Sequence, residues 1–383
     1  MERFSINVFF MFALCLLSGT GCTGGLVEDG EEKARFITLS FDQPSLYTSL
    51  VTRAEAAPLA VGSTIRIAAY RVGESAEAVV PAGLSVVAPT TEATYVVGSD
   101  GSLQPCWVDG NGKQIPGESS DMTVVAGVYD FYAVSPARPF TEVSGKRQIT
   151  GIPHQEDVMT AFVRDIPVSQ SSRRVALGDF HRKCTQVLFE VAPTKNNIVP
   201  ISSLCGTRLE LTGVSAAGAS LIVGENEKIL PSGGDQTEAG KLSTTNFVTL
   251  ADPENPDEPS KLGLNRATTI LLPKNGEPFQ VAVTVARNGI AVTLKATIAK
   301  SIVFEEGKQY VFTLEVENDR SLLRLSVFDW SPFGLTDTNV GGAPDDRPTD
   351  PDVTPGTPFG LVVAGWDHIS WTGGETIGGA TIN

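Results

Sequence analysis

The chain has 383 residues, of which 41% are hydrophobic and 19% are charged, so its length predicts about two domains with sizeable cores. The formal net charge of −15 argues against nucleic acid or anionic lipid as a partner, because phosphate groups attract Lys and Arg.

Residues 1–21 have the pattern of a signal peptide. Arg3 precedes the apolar run "INVFFMFALCLL", which is too short to span a bilayer stably. The small residues of "SGTGC" end at Cys22 and resemble a bacterial lipobox. We therefore expect lipidation of Cys22 and anchoring in the outer membrane, with ordinary secretion as the alternative.

An acidic tether is predicted at residues 22–34, followed by an N-terminal β-sandwich over residues 35–178. The first strand is Arg35–Phe41, in which Ile37, Leu39 and Phe41 share one apolar face. Turn signals separate the further predicted strands, which are Ser63–Val72, Gly83–Ala88, Ala93–Gly98, Ser119–Val125 and Gly127–Ser135.

A second β-sandwich is predicted over residues 179–340. Its strands include Thr185–Pro193 and a hairpin that turns at Asn288-Gly289, the strongest short hairpin signal. A last hairpin, Phe304–Pro332, closes the domain. Strands at roughly ten-residue spacing with no long helical period predict an all-β protein of two tandem antiparallel β-sandwich domains. A Pro/Gly/Asp linker at 341–360 and an apolar tail at 361–383 follow.

No recognised catalytic motif is present. The three histidines, His154, His181 and His368, lie in different regions without ligand spacing, so we expect structural or solvated roles and no metal or cofactor. Cys184 and Cys205 allow a disulfide or free thiols. The pattern is typical of a structural or binding protein rather than an enzyme. A β-sandwich hydrolase would need two carboxylates about 5–10 Å apart in a cleft.

Three stretches resemble the fimbrillin-like proteins of Bacteroidales. The first is "AGVYDFYAVSP", which is similar to an aromatic-rich strand of that family, and the second is "VALGDFHRKCTQVLFEV", similar to the entry into its second domain. The third is the strand Lys308–Leu314 with the closing strand that ends at Asp329-Trp330. The resemblance covers about residues 35–332.

This resemblance implies two domains of transthyretin-like topology, export as a lipoprotein, and assembly into surface fimbriae by strand exchange. A trypsin-like protease would cut between Arg53 and Ala54 and remove the first strand. The alternative is that Arg53 is an ordinary surface residue and is not cleaved. The candidate donor is Phe359–Trp366, with Val362, Val363 and Trp366 as its anchors. The alternative is that this tail folds back onto its own domain.

The expected partners are other fimbrial subunits and the outer membrane through the lipid anchor. A host or bacterial surface protein or glycan remains open as a further partner. The main alternative function is a surface glycan-binding lipoprotein, in which Trp107, Trp366 and Trp371 would cluster on one exposed face to stack on sugars.

Overall fold

The computed structural model describes residues 36–47, 57–72, 84–193, 204–224, 226–230, 240–252, 255–259, 265–287, 289–298, 302–316, 321–329, 359–360 and 367–368. Within these ranges the chain forms β-strands, turns and a single 3₁₀ turn, Leu84–Val86. The predicted all-β class is therefore confirmed. Among the same residues, none lies in a helix long and apolar enough to cross a bilayer.

The described part of the N-terminal half contains fifteen short and long strands. They are β1 (Ile37–Thr38), β2 (Ser40–Phe41), β3 (Ser45–Leu46), β4 (Thr64–Arg71), β5 (Thr91–Val97), β6 (Leu103–Pro105), β7 (Trp107–Val108), β8 (Gln114–Ile115), β9 (Thr123–Val124), β10 (Gly127–Ser135), β11 (Thr141–Val143), β12 (Lys146–Ile152), β13 (Met159–Val168), β14 (Arg174–Val175) and β15 (Asp179–Arg182).

A seven-stranded sheet in the order β3-β15-β13-β10-β4-β5-β6 organises this half. Strand β10 lies at its centre, and its alternating side chains face two different cores. Tyr129, Phe131 and Ala133 enter the first core, which also holds Ile37 and Leu39. The sequence prediction of a sandwich-core strand at Gly127–Ser135 is confirmed with its bounds.

The C-terminal half contains the remaining strands. They are β16 (Thr185–Pro193), β17 (Leu204–Val214), β18 (Ala219–Ile222), β19 (Ile229–Leu230), β20 (Gly240–Thr244), β21 (Phe247–Thr249), β22 (Ala251–Asp252), β23 (Asn255–Pro259), β24 (Asn265–Leu271), β25 (Phe279–Arg287), β26 (Ile290–Ile298), β27 (Lys308–Val316), β28 (Ser321–Asp329), β29 (Phe359–Gly360) and β30 (Asp367–His368).

Two sheets build this half, in the orders β21-β24-β16-β27-β28-β29 and β20-β17-β25-β26-β30. A second core lies within it and includes Phe189, Phe279 and Phe312, and the ring of Phe312 contacts the rings of the other two. Both predicted hairpins are confirmed, since β25 pairs with β26 and β27 with β28 in antiparallel register. Gly289 takes φ +81° in the first of these turns, a conformation that favours glycine.

A third sheet, β11-β12-β18-β19, joins strands from the two halves. Strand β12 pairs with β18 in the register Gln148↔Ile222 and Ile149↔Leu221. Between this sheet and the outer face of β10 lies a third core that includes the buried Tyr132. The two halves are thus connected by backbone pairing as well as by the chain itself. The domain boundary at 178/179 and the transthyretin-like topology stay predictions.

His154 adds a polar link between the halves. Its Nε2 donates to the carbonyl of Ser215 at 2.7 Å, and its Nδ1 accepts the amide of Leu272 at 3.2 Å. This arrangement requires the neutral imidazole. Burial lowers the pKa of His154 accordingly, because it disfavours the charged form.

Two strand predictions were wrong or too long. Gly83–Ala88 was expected to be a strand, but residues 84–86 form the 3₁₀ turn, which buries Leu84. A short apolar run between prolines suits either conformation, so periodicity did not distinguish them. Of Ser119–Val125 only Thr123–Val124 pairs as a strand.

The three cysteines of the folded body are free thiols, so Cys184 and Cys205 do not form the disulfide that the sequence allowed. Cys106 and Cys184 are buried, whereas Cys205 is exposed. Burial raises the pKa of the Cys184 thiol to about 12 and also raises that of Cys106.

Candidate functional site: the groove of the first strand

Residues 37–46 form three short strands that pair with three different parts of the N-terminal half. Strand β1 is antiparallel to β9, β2 is parallel to β14, and β3 is parallel to β15. We call the space that this segment occupies the first-strand groove; its walls are β9, β14 and β15. Because the segment precedes all the other strands that the structure describes, the groove can be emptied without threading the chain through those strands.

The apolar face of the segment enters the first core. Ile37 and Leu39 are each 2% exposed and Leu46 is 7% exposed. The half-buried Phe41 ring lies edge-on to Tyr95, with centroids 5.3 Å apart. The predicted face of Ile37, Leu39 and Phe41 is confirmed, and Phe36 beside it is 71% exposed.

Backbone hydrogen bonds fix the segment along its length. The amide of Leu39 donates to the carbonyl of Met122 at 2.9 Å, and that of Asp42 donates to Val175 at 2.9 Å. Further on, the Leu46 amide donates to Ala57 at 2.7 Å. Each of these carbonyls would lose its partner if the segment left, and buried unpaired backbone groups are costly.

Two polar side chains of the segment contact the groove walls. The carboxylate of Asp42 pairs with the guanidinium of Arg174, at the exposed end of β14. The hydroxyl of Ser45 donates to the carboxylate of Asp179 in β15. Each of the two strands that pair in parallel with the segment, β14 and β15, therefore offers it one specific polar partner.

The far end of the groove carries an aromatic stack. The ring of Tyr47 lies 4.4 Å from the ring of His181, nearly parallel to it. The Tyr47 amide also donates to the carbonyl of Phe180 at 2.9 Å. Partial burial lowers the pKa of the His181 imidazole, and the positive charge of Lys183 adds to this effect. His181 lies within β15, shortly before β16 begins at Thr185.

The predicted donor tail pairs at two places with its own half. Gly360 is opposite Arg324 and Phe359 opposite Leu325, while Asp367 is opposite Lys295. Phe359–Gly360 and Asp367–His368 are thus each paired at an edge strand of a C-terminal sheet. Donation of the tail to another subunit stays a prediction.

The remaining sequence-predicted positions lie outside the described residues. These are the lipidation site Cys22, the processing site Arg53 and Ala54, and the anchors Val362, Val363 and Trp366. Trp371 lies outside them as well, so the clustering of the three tryptophans stays a prediction. Trp107 is 54% exposed, and its Nε1 donates to the carbonyl of Glu118.

Two of the three histidines have defined surroundings and contact different residues, so the structure does not bring them together. Of His368 only the backbone is described. Within the described ranges, no three His, Cys, Asp or Glu side chains are grouped as metal ligands would be.

The profile of a fimbrillin-like family matches residues 37–332, which begins at the first residue of β1 and ends just after β28. The chain belongs to the fimbrillin-like family. No curated protein matches it in sequence.

Two solved structures that are similar to this fimbrillin-like chain come from Bacteroides species. One is a protein provisionally assigned to cell adhesion from Bacteroides fragilis NCTC 9343, with 19% identity and a TM-score of 0.51, covering 77% of this chain and 99% of that one. Another, with the same provisional assignment, is from Bacteroides ovatus ATCC 8483, with 16% identity and a TM-score of 0.49, covering 78% and 99%. At 19% identity, the similarity to the Bacteroides fragilis structure supports the fold alone.

Sequence reasoning on this fimbrillin-like chain found the apolar face of the first strand but missed its polar contacts. Asp42 and Ser45 carry no local signal, since Arg174 and Asp179 follow them by 132 and 134 residues. The stack of Tyr47 on His181 was missed for the same reason. These side chains matter because they distinguish one register of a strand in the groove from another.

Proposed function

We propose that this protein is a fimbrial subunit, either structural or a tip or accessory adhesin, that assembles at the cell surface by strand exchange. Lipidation of Cys22 would hold it at the outer membrane before assembly, and its partners would be other fimbrial subunits. The single observation that carries the proposal is the first-strand groove, in which a removable N-terminal segment supplies part of the core and part of the sheet pairing.

The physical argument concerns what the groove exposes once it is empty. Cleavage between Arg53 and Ala54 would release the segment that ends at Arg53 and leave unpaired carbonyls at Met122 and Val175. It would also uncover the apolar wall against which Ile37 and Leu39 pack. Exposed strand edges and apolar stripes favour pairing with an added strand, so an empty groove should bind a donor strand from another subunit.

Processing can be tested on the purified chain that starts at Thr23. Limited treatment with a trypsin-like protease should produce a new N-terminus at Ala54 and ladders on electrophoresis under mild denaturing conditions. Arg53→Ala should abolish both. Arg173→Ala, which removes an exposed arginine beside the groove, serves as the matched control and should leave both unchanged. Ladders from the Arg53→Ala protein would contradict processing at this position.

The tail can be tested by deletion. A chain that lacks residues 356–383 should be cut normally but should form no ladder, because no donor strand is available. Normal ladders from this chain would exclude the tail as the donor.

One observation favours the second candidate function, glycan binding. Trp107 is 54% exposed and lies opposite Ile115, itself 40% exposed, on the small hairpin β7–β8. Because the indole N–H is already bonded to Glu118, the ring offers a face rather than a donor. Loss of binding to cell-surface glycans in Trp107→Ala, with normal ladders, would show that adhesion uses this site.

A further inference from the structure

The tail contains a second copy of the pattern found in the first strand. Residues 37–46 read "ITLSFDQPSL", and residues 362–371 read "VVAGWDHISW". Aligned without a gap, the two segments share aspartate at the sixth position and serine at the ninth. The fifth position is aromatic in both, with Trp366 at the place of Phe41.

The apolar positions of the two segments agree as well. The groove holds apolar side chains at the first, third, fifth and tenth positions of its occupant. The tail supplies Val362, Ala364, Trp366 and Trp371 at these positions. Ala364 is smaller than the leucine it would replace, while both tryptophans are larger than their counterparts. Phe41 is only half-buried, so a larger ring can extend from that position toward solvent.

The two shared polar positions are the ones that contact the groove walls. Asp42 pairs with Arg174, and Ser45 bonds Asp179. In the alignment Asp367 and Ser370 take these positions. A shift of the tail by one residue would place both polar groups away from their partners and would turn the apolar face outward, because side chains alternate along a strand.

We propose that the tail of a second copy of this chain fills the emptied groove in this one register, with Val362 at the position of Ile37 and Trp371 at that of Leu46. This rests on the proposed strand exchange and adds to it the partner and the register. The donor runs antiparallel to β9 and parallel to β14 and β15. Its Asp367 pairs with Arg174, and its Ser370 bonds Asp179.

The register implies a competition between two positions of the tail. In the single chain, Asp367 and His368 pair with Lys295 and Leu294 at the edge of β26. A tail that enters the groove of another copy gives up that short pairing. In exchange it gains the four apolar positions and two polar contacts of the groove, so the exchange is favoured once the groove is empty.

Disulfide trapping between two copies measures the register directly. Thr38 is opposite Thr123, and both residues are exposed. The Leu39 amide bonds Met122, so the pair at 38 and 123 is a non-hydrogen-bonded pair, in which side chains are close. The proposed register puts Val363 at the place of Thr38.

The experiment mixes processed acceptor chains that carry Thr123→Cys with donor chains that carry one cysteine in the tail. Both have Cys205→Ser, which removes the exposed thiol. Val363→Cys should form the mixed disulfide at least ten-fold faster than Val362→Cys or Ala364→Cys, whose side chains would point to the other face.

A charge exchange provides an independent readout. Asp367→Arg and Arg174→Asp should each lower ladder formation about five-fold, as expected for an exposed ion pair turned repulsive. The combined variant should restore it. Glu375→Arg, which changes a tail charge outside the aligned segment, should have no effect.

The outcomes separate this proposal from strand exchange itself. If another donor position cross-links fastest while deletion of the tail still abolishes ladders, the register is wrong and strand exchange by the tail stands. If ladders form without the tail, the tail is not the donor and the present proposal fails with that part of the proposed function.

Discussion

Replacing Leu39 by alanine should destabilise the unprocessed protein by about 2–5 kcal/mol. Leu39 is 2% exposed in the first core, and its amide is held by the carbonyl of Met122. The substitution removes three carbon atoms, which at roughly 0.8 kcal/mol per buried methylene gives about 2.4 kcal/mol. The cavity that the shorter side chain leaves between β9 and the seven-stranded sheet destabilises the protein further. Hydrogen bonds hold both elements in place, so the cavity cannot collapse fully.

Phe36→Ala is the matched control, since Phe36 lies in the same segment but is 71% exposed. It removes more carbon atoms than the change at Leu39, yet it should alter the free energy of unfolding by no more than about 0.5 kcal/mol. The comparison therefore measures burial in the groove rather than side-chain size.

Urea unfolding followed by circular dichroism measures both effects on the chain that starts at Thr23 and carries Arg53→Ala, which prevents processing. In a second experiment with Arg53 present, protease treatment should release the segment and abolish the difference between the two variants. Equal effects of Leu39→Ala and Phe36→Ala before processing would refute the argument that the first strand belongs to the core.

Three further predictions concern the rest of the molecule. Burial lowers the pKa of His154, so the unfolded chain takes up this proton first as the pH falls, and the wild-type protein loses stability below about pH 6.5. His154→Gln should make this loss smaller, as denaturant titrations at several pH values can measure. In the native chain starting at Thr23, a thiol reagent should label Cys205 but not Cys184, and denaturation should expose all the thiols. Trp107→Ala should leave ladder formation unchanged, because Trp107 lies on the hairpin β7–β8 and not in the groove.

Sequence periodicity predicted the strands whose alternation is unbroken. Gly127–Ser135 was found because its aromatic and apolar residues fall on both faces, which suits a strand that lies between two cores. The hairpin turn at Asn288-Gly289 was found because an Asn-Gly pair is typical of a two-residue turn that requires positive φ. Gly289 has φ +81° in the structure.

Strand β13 was missed because its alternation is interrupted. Asp165 has φ +54°, and its amide bonds the carboxylate of Asp130, which is 2% exposed. The pairing of β10 with β13 shifts register at this point, between Tyr129 and Phe131. A bulge of this kind depends on the partner strand, so no local pattern in the sequence predicts it.

The candidate site likewise contains features that the local sequence predicts and contacts that it does not predict. The apolar face of Ile37 and Leu39 is a local property and was predicted. The partners of Asp42 and Ser45 depend on how distant strands meet, so only the structure supplied them. Once these partners are known, an aspartate and a serine at the same spacing can be recognised in the tail. The sequence alone gave no reason to align the tail with the first strand.

The shared sheet β11-β12-β18-β19 has a mechanical consequence for a filament of such subunits. Tension that enters a subunit at the first-strand groove and leaves through the tail must cross between the halves. It can do so through the pairing of Ile149 with Leu221 as well as through the connecting chain, and the buried core beneath that sheet resists hinge motion. A fimbria built in this way should therefore bend where one subunit meets the next and stay stiff within each subunit.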